Sequence, residues 1–137
     1  MIEGLSHITF IVKDLDRTSD FLTGIFDAKE IYESGERKCS YSKEKYFLIN
    51  GLWFAIMEGA PLSEKTYNHV ALKVSKTDFE KYEERVCSLG VEVLEGRSRI
   101  NGEGKSLYFY DYDNHLFELH TGTLEKRLDS YKGKTTI

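Results

Sequence analysis

Gly4-Leu5-Ser6-His7-Ile8-Thr9-Phe10-Ile11-Val12 and Tyr67-Asn68-His69-Val70-Ala71-Leu72 are two copies of one short pattern, each with a histidine near its start. Alternation places Leu5, His7, Thr9 and Ile11 on one face of a strand and Ile8, Phe10 and Val12 on the other; Tyr67, His69 and Ala71 likewise oppose Asn68, Val70 and Leu72. Each copy runs into an amphipathic helix. After the first, Asp14 is an N-cap candidate, and Leu15, Thr18, Leu22, Ile25 and Phe26 recur at three- and four-residue steps. After the second, Thr77 and Glu80 have capping-box spacing, Phe79, Tyr82, Val86 and Leu89 form the apolar stripe, and Gly90 suits a C-terminal cap. Strands are expected near 28–33, 38–49 (interrupted) and 52–58 in the first half, and near 91–95, 105–111 and 115–120 in the second. A tight turn falls at Asp113-Asn114, and a short helix over about 123–131 closes the chain.

The expectation is an α+β fold of two paired β-α-β-β-β modules within one domain over 1–137, module one about 1–60 and module two about 65–122. One sheet of this kind leaves a face uncovered, so two copies should pair, within or between chains, with a site on the curved surface.

A net charge of −4 gives no clustered basic face for nucleic acid. No stretch approaches the roughly 18 apolar residues of a membrane span, and Met1-Ile2-Glu3-Gly4-Leu5-Ser6 lacks the basic and apolar regions of a secretory signal. Cys39 and Cys87 make neither a disulfide framework nor a close ligand pair, and Cys87, beside Val86, reads as a small buried residue. A cytoplasmic protein is expected.

A lone histidine on a half-apolar strand is most simply a hydrogen-bonded core residue. Two at equivalent points of a repeat, joined by Glu118 between Phe117 and Leu119, point instead to a divalent metal, because an unpaired buried carboxylate is costly. His7, His69 and Glu118 are the expected ligands; His120, on the Glu118 face, is the rival, and His115, at the turn, reads as structural. Two nitrogens and one oxygen suit Mn²⁺, Fe²⁺ or Zn²⁺ and leave positions for substrate oxygens. Thr9 shares a face with His7, and Tyr67 one with His69. The glycine-flanked loop carrying Arg99 and Lys105 leads into a strand with Ser106 and Tyr108, and Arg127 follows on the last helix; together these donors can hold a phosphonate or phosphate. Glu44, between Lys43 and Lys45, reads by itself as solvated surface.

With these residues placed, the chain resembles the vicinal oxygen chelate proteins, and more closely the hydrolase-type fosfomycin resistance proteins, the FosX family. The likeness runs from residues 4–9 to 124–128 and is carried by Tyr-Asn-His (67–69), Gly-Glu-Gly-Lys-Ser-Leu-Tyr-Phe-Tyr (102–110) and Asn-His-Leu-Phe-Glu-Leu-His-Thr-Gly (114–122). The resemblance implies a homodimer whose metal sites, usually Mn²⁺, take His7 from one subunit and His69 and Glu118 from the other. It implies that Thr9, Trp53, Tyr67, Ser106, Tyr108 and Arg127 surround the antibiotic, with Arg99 and Lys105 in the neighbouring loop. It also implies that Glu44, in Ser42-Lys43-Glu44-Lys45-Tyr46-Phe47-Leu48-Ile49, is the general base that activates water to open the fosfomycin epoxide to a diol. A thiol transferase on the same substrate, an iron-dependent extradiol-type dioxygenase and a non-catalytic drug binder are the other readings.

Overall fold

A computed structural model describes residues 1–36, 41–94 and 102–135. The chain forms two units, one of Met1–Lys65 with Asp111–His115 and one of Thr66–Tyr110 with Leu116–Ile137.

In the first unit, β1 (His7–Val12) is followed by α1 (Leu15–Phe26), β2 (Lys29–Glu33), β3 (Glu44–Ile49) and β4 (Leu52–Glu58). The sheet order is β1-β4-β3-β2, with β1 parallel to β4 and the other pairs antiparallel. α1 starts where the sequence predicts: the Asp14 carboxylate accepts from the Arg17 N–H at 3.0 Å, satisfying one of the helix's open donors. Its buried Phe21, Leu22, Ile25 and Phe26 cover the sheet face that carries Val12, Phe47, Phe54 and Ile56, all at most 5% exposed. Removing water from each such side chain is worth about 1.5–3 kcal/mol, so this face is committed to the core and the opposite one is left for chemistry.

The second unit repeats the order with β5 (His69–Lys73), α2 (Phe79–Ser88), β6 (Val93–Leu94), β7 (Ser106–Tyr110) and β8 (Leu116–His120), then α3 (Leu124–Thr135). Its sheet order is β5-β8-β7-β6, again with the first pair parallel. Phe109 and Phe117 stack at 5.9 Å on the same sheet face as Leu107 and Leu119. On the other face, buried Tyr108, Tyr110 and Leu116 cluster beside the candidate ligands.

The expected β-α-β-β-β repeat is therefore present twice, with shorter strands than the alternation suggests. Leu5 and Tyr67 fall outside β1 and β5 because ladder pairing begins only at His7 opposite Trp53 and at His69 opposite Leu116. β3 begins at Glu44; of the expected strand's earlier part, residues 41–43 lie outside β3 and 38–40 lie outside the described residues. α3 runs to Thr135, four residues beyond the expected end. The Thr77–Glu80 capping box does not form: Asp78 is the cap position without a side-chain cap bond, and the Thr77 hydroxyl lies 3.0 Å from that of Ser75. Cys87 is exposed, contrary to expectation, because one step past buried Val86 turns it about 100° around the helix. Among the described residues no helix is long and apolar enough to cross a membrane.

Candidate metal and anion site

Strand register decides which side chains share the uncovered face of each sheet, since laterally paired residues point the same way. In the first unit His7 pairs with Trp53, Thr9 with Ala55, and Ala55 in turn with Tyr46; one row further, Glu44 pairs with Met57. His7, Thr9, Trp53 and Glu44 thus stand on one face. The His7 ring stacks on Trp53 at 4.1 Å, Tyr46 meets the indole edge-on at 5.2 Å, and His7 Nδ1 lies 3.0 Å from the Ser6 hydroxyl. The Trp53 Nε1–H is buried with no partner among the described residues, a donor available to a ligand.

Glu44 is not solvated surface. It is 4% exposed, and its backbone is pinned by Ser34, whose hydroxyl accepts from the Glu44 N–H at 2.9 Å and whose own N–H donates to the Glu44 carbonyl at 3.0 Å. The flanking lysines point to the other face, where each is held by acids: Lys43 to Glu36 at 2.8 Å, Lys45 to Asp16 and Glu30 at 3.1 Å. Burial alone would lower the Lys45 pKa, but these two hydrogen-bonded carboxylates raise it above the ordinary value. A cavity of about 640 Å³ beside them is lined by Lys13, Arg17, Lys43 and Lys45 together with Asp14, Asp16, Glu33, Glu36, Glu58 and Asp113. Its charges are of both signs, with Lys43 paired to Glu36 and Lys45 to Asp16, and none of the expected site residues lines it.

In the second unit His69, Glu118, His120, Ser106 and Tyr108 share one face by the same register logic. His69 Nε2 lies 3.0 Å from Glu118 Oε1, and Glu118 is 4% exposed. His69 Nδ1 sits 2.6 Å from the Tyr67 carbonyl, which can only accept, so Nδ1 carries the hydrogen. With Nδ1 committed, Nε2 is the ring nitrogen that faces the carboxylate oxygen, and a cation held between the two would be bound by both. The spacing agrees: two adjacent donors on a six-coordinate ion with bonds of about 2.1 Å lie roughly 3 Å apart. The residues present therefore fit a divalent metal, and the Tyr67 carbonyl holds His69 as an outer-shell partner would.

Ser106 donates to Glu118 Oε2 at 2.5 Å and lies 2.6 Å from His120 Nδ1; Arg127 Nη2 lies 3.3 Å from His120 Nε2. Tyr67 donates its hydroxyl hydrogen to Tyr108 at 2.8 Å. His69, Glu118, His120 and Arg127, with Gly122 and Thr123 among others, line a cavity of about 290 Å³, room for a small molecule.

The two halves offer unequal ligand sets. At the position where Glu118 pairs with Ala71 and Tyr108, the first unit has Ala55 between Thr9 and Tyr46, so it has no acid at that place beside His7. By the same correspondence Glu44, opposite Met57, occupies the place of Ser106, opposite His120. Among the described residues no three His, Cys, Asp or Glu side chains of the chain cluster tightly enough to hold a metal. Lys105 is not brought to the site face: its ammonium lies over the Phe79 ring, 5.8 Å from the centroid, on the α2 side. Arg99 lies outside the described residues. His115 is structural as expected, with Nδ1 2.8 Å from Asp111 and its ring edge on Phe10. Sequence reading missed Glu103, 1% exposed, which accepts from the Tyr131 hydroxyl at 2.9 Å and lies 3.8 Å from Arg127 Nε.

Residues 4–119 match the model of the Glyoxalase/Bleomycin resistance protein/Dioxygenase superfamily. A fosfomycin resistance protein FosX of Listeria innocua is 62% identical over 131 residues, 96% of this chain and 98% of the relative. The chain belongs to the FosX family of that superfamily. The crystal structure of a FosX variant from Listeria monocytogenes, complexed with Mn(II) and 1S,2S-dihydroxypropylphosphonic acid, aligns with a TM-score of 0.88 at 58% identity, covering 96% of this chain and 99% of that one. A metallothiol transferase FosB of Staphylococcus saprophyticus is further away, 38% identical over 96% of this chain and 85% of that protein. Membership in the FosX family agrees with the duplicated fold.

Proposed function

We propose that this protein adds water to the epoxide of fosfomycin, giving a vicinal diol phosphonate and thereby fosfomycin resistance, with Mn²⁺ as its metal and a homodimer as its working form. The observation that carries this reading is the position of Glu44: a buried carboxylate on the same sheet face as His7, Thr9 and Trp53, where a general base belongs and a surface acid does not. FosX relatives at 56–62% identity support it, and the diol named in the Listeria monocytogenes complex is the product such a reaction would form.

His69 and Glu118 would hold the ion, with His7 supplied by a second copy of the chain. When bound, the metal supplies Lewis-acid stabilisation of negative charge on the ring oxygen. Arg127, Tyr108, Thr9 and Trp53 offer the guanidinium, hydroxyl and indole donors that bind the phosphonate and orient the ring, while Tyr67 gives its hydrogen to Tyr108 and Ser106 gives its own to Glu118 Oε2 beside them. Glu44 takes one proton from water as its oxygen bonds to the phosphorus-bearing carbon. The ring carbon–oxygen bond breaks with its electron pair staying on oxygen, which takes a proton from solvent to finish as the second hydroxyl, and Glu44 releases to solvent the proton it took. A thiol has no part in this balance.

The test is phosphorus NMR of fosfomycin with the protein and Mn²⁺, with and without glutathione, cysteine or bacillithiol. Diol formation at the same rate in both supports hydration; conversion that appears only with thiol would show a transferase.

A further inference from the structure

Arg127 has donors only, so where its Nη2 meets His120 Nε2 at 3.3 Å the imidazole must accept there. The ring hydrogen then sits on Nδ1, 2.6 Å from the Ser106 oxygen, and Ser106 accepts it. The Ser106 hydroxyl hydrogen is left to go to Glu118 Oε2 at 2.5 Å. His120 Nδ1 also lies 3.4 Å from that oxygen, a longer contact than the one to Ser106. Every step has one allowed direction: Arg127 to His120 to Ser106 to Glu118. The far end is anchored as well. Glu103, whose side chain is fully buried, holds Arg127 Nε at 3.8 Å and the Tyr131 hydroxyl at 2.9 Å. A side chain at Gly122 would meet the Glu103 carbonyl at 2.5 Å, so only glycine lets the turn before α3 sit this close.

We infer that His120 is a positioning residue: through Ser106 it occupies Oε2 of Glu118 and leaves Oε1 alone turned to His69, coupling the metal-facing carboxylate to the arginine proposed to meet the substrate anion. This rests on the metal reading of the preceding subsection. His120 is then not a ligand, although it stands on the ligand face; both ring nitrogens are committed to the relay.

The two amides replace different halves of the imidazole. His120→Gln reaches the Nε2 position and can still accept from Arg127, but places no donor beside Ser106. His120→Asn reaches the Nδ1 position and keeps that donor. Mn²⁺ dissociation constants of the purified full chain, read from the free-ion electron paramagnetic resonance signal, separate them. Losing an outer-shell partner costs about 10–100-fold in metal affinity, so His120→Gln is expected to weaken Mn²⁺ binding by that factor and His120→Asn by less than about threefold. Ser106→Ala, which cuts the same link without touching the ring, should match His120→Gln and serves if the latter fails to fold. Unchanged affinity in His120→Gln and Ser106→Ala overturns the relay. Loss of Mn²⁺ binding in both His120 variants to the level of His69→Ala overturns it differently, by making His120 a ligand. A wild-type chain that binds no Mn²⁺ overturns the metal reading itself.

Discussion

Replacing Glu44 with glutamine separates chemistry from architecture. The substitution keeps length and shape and exchanges one oxygen for an NH₂ group. Both bonds that place Glu44 use its backbone, at 2.9 and 3.0 Å to Ser34, so the new side chain should occupy the same position at the start of β3. With the backbone anchors kept and a neutral side chain of the same shape in a place only 4% exposed, Glu44→Gln should leave the melting temperature unchanged or raise it. What is lost is the base. General-base assistance is worth about 10²–10⁴ in rate, or roughly 3–5 kcal/mol of barrier. Thiol-free hydration followed by phosphorus NMR should fall by that factor in Glu44→Gln, while Mn²⁺ affinity stays within about threefold of wild type. Hydration within threefold of wild type would refute the role of Glu44. A large drop in melting temperature would show instead that the carboxylate serves the fold.

Subunit mixing tests how the ligands are shared. His7→Ala and His69→Ala dimers should each be inactive, yet after the two are unfolded and refolded together, half of the dimers are hybrids with one intact site, so about a quarter of wild-type activity should return; no recovery would place all three ligands within one chain. Asp113 gives a pH prediction. Burial raises its pKa above the ordinary carboxylate value and Asp111 adds to this, while the Lys13 N–H, 2.9 Å away, and the charges of His115 and Arg17 oppose it. An acid raised in the folded state binds its proton more tightly there than when unfolded. Its stabilising contribution is complete below the unfolded pKa and lost as pH rises through the folded one. Urea unfolding of Asp113→Asn should therefore show a stability gain over wild type that grows across that window and then levels off; a difference independent of pH would remove the burial argument.

Much of this site was legible in the chain. The 62-residue spacing of His7 and His69, and the alternation around each, locate two candidate ligands, one on the face of Thr9 and one beside Tyr67. Glu44 was not legible by local reasoning. Charged neighbours on both sides suggest solvent, and only the pairing of β3 with β4 shows that Lys43 and Lys45 turn away while Glu44 faces inward. Strand alternation alone separates Lys105 from Ser106, and the structure sends the lysine to Phe79. Glu103 lies in a Gly-Glu-Gly segment that looks like an exposed turn; its burial depends on Arg127 and Tyr131 from a helix more than twenty residues later. Cys87 could have been placed correctly from helical period, since its neighbour Val86 already marks the buried side.

The most direct test of the whole account is turnover of fosfomycin in ¹⁸O-labelled water with Mn²⁺ and no thiol, the product being analysed by mass spectrometry. One labelled oxygen on the phosphorus-bearing carbon of a diol, formed over many turnovers and abolished by chelation, is the predicted result. Unchanged fosfomycin under these conditions, with conversion restored only by an added thiol, would contradict it.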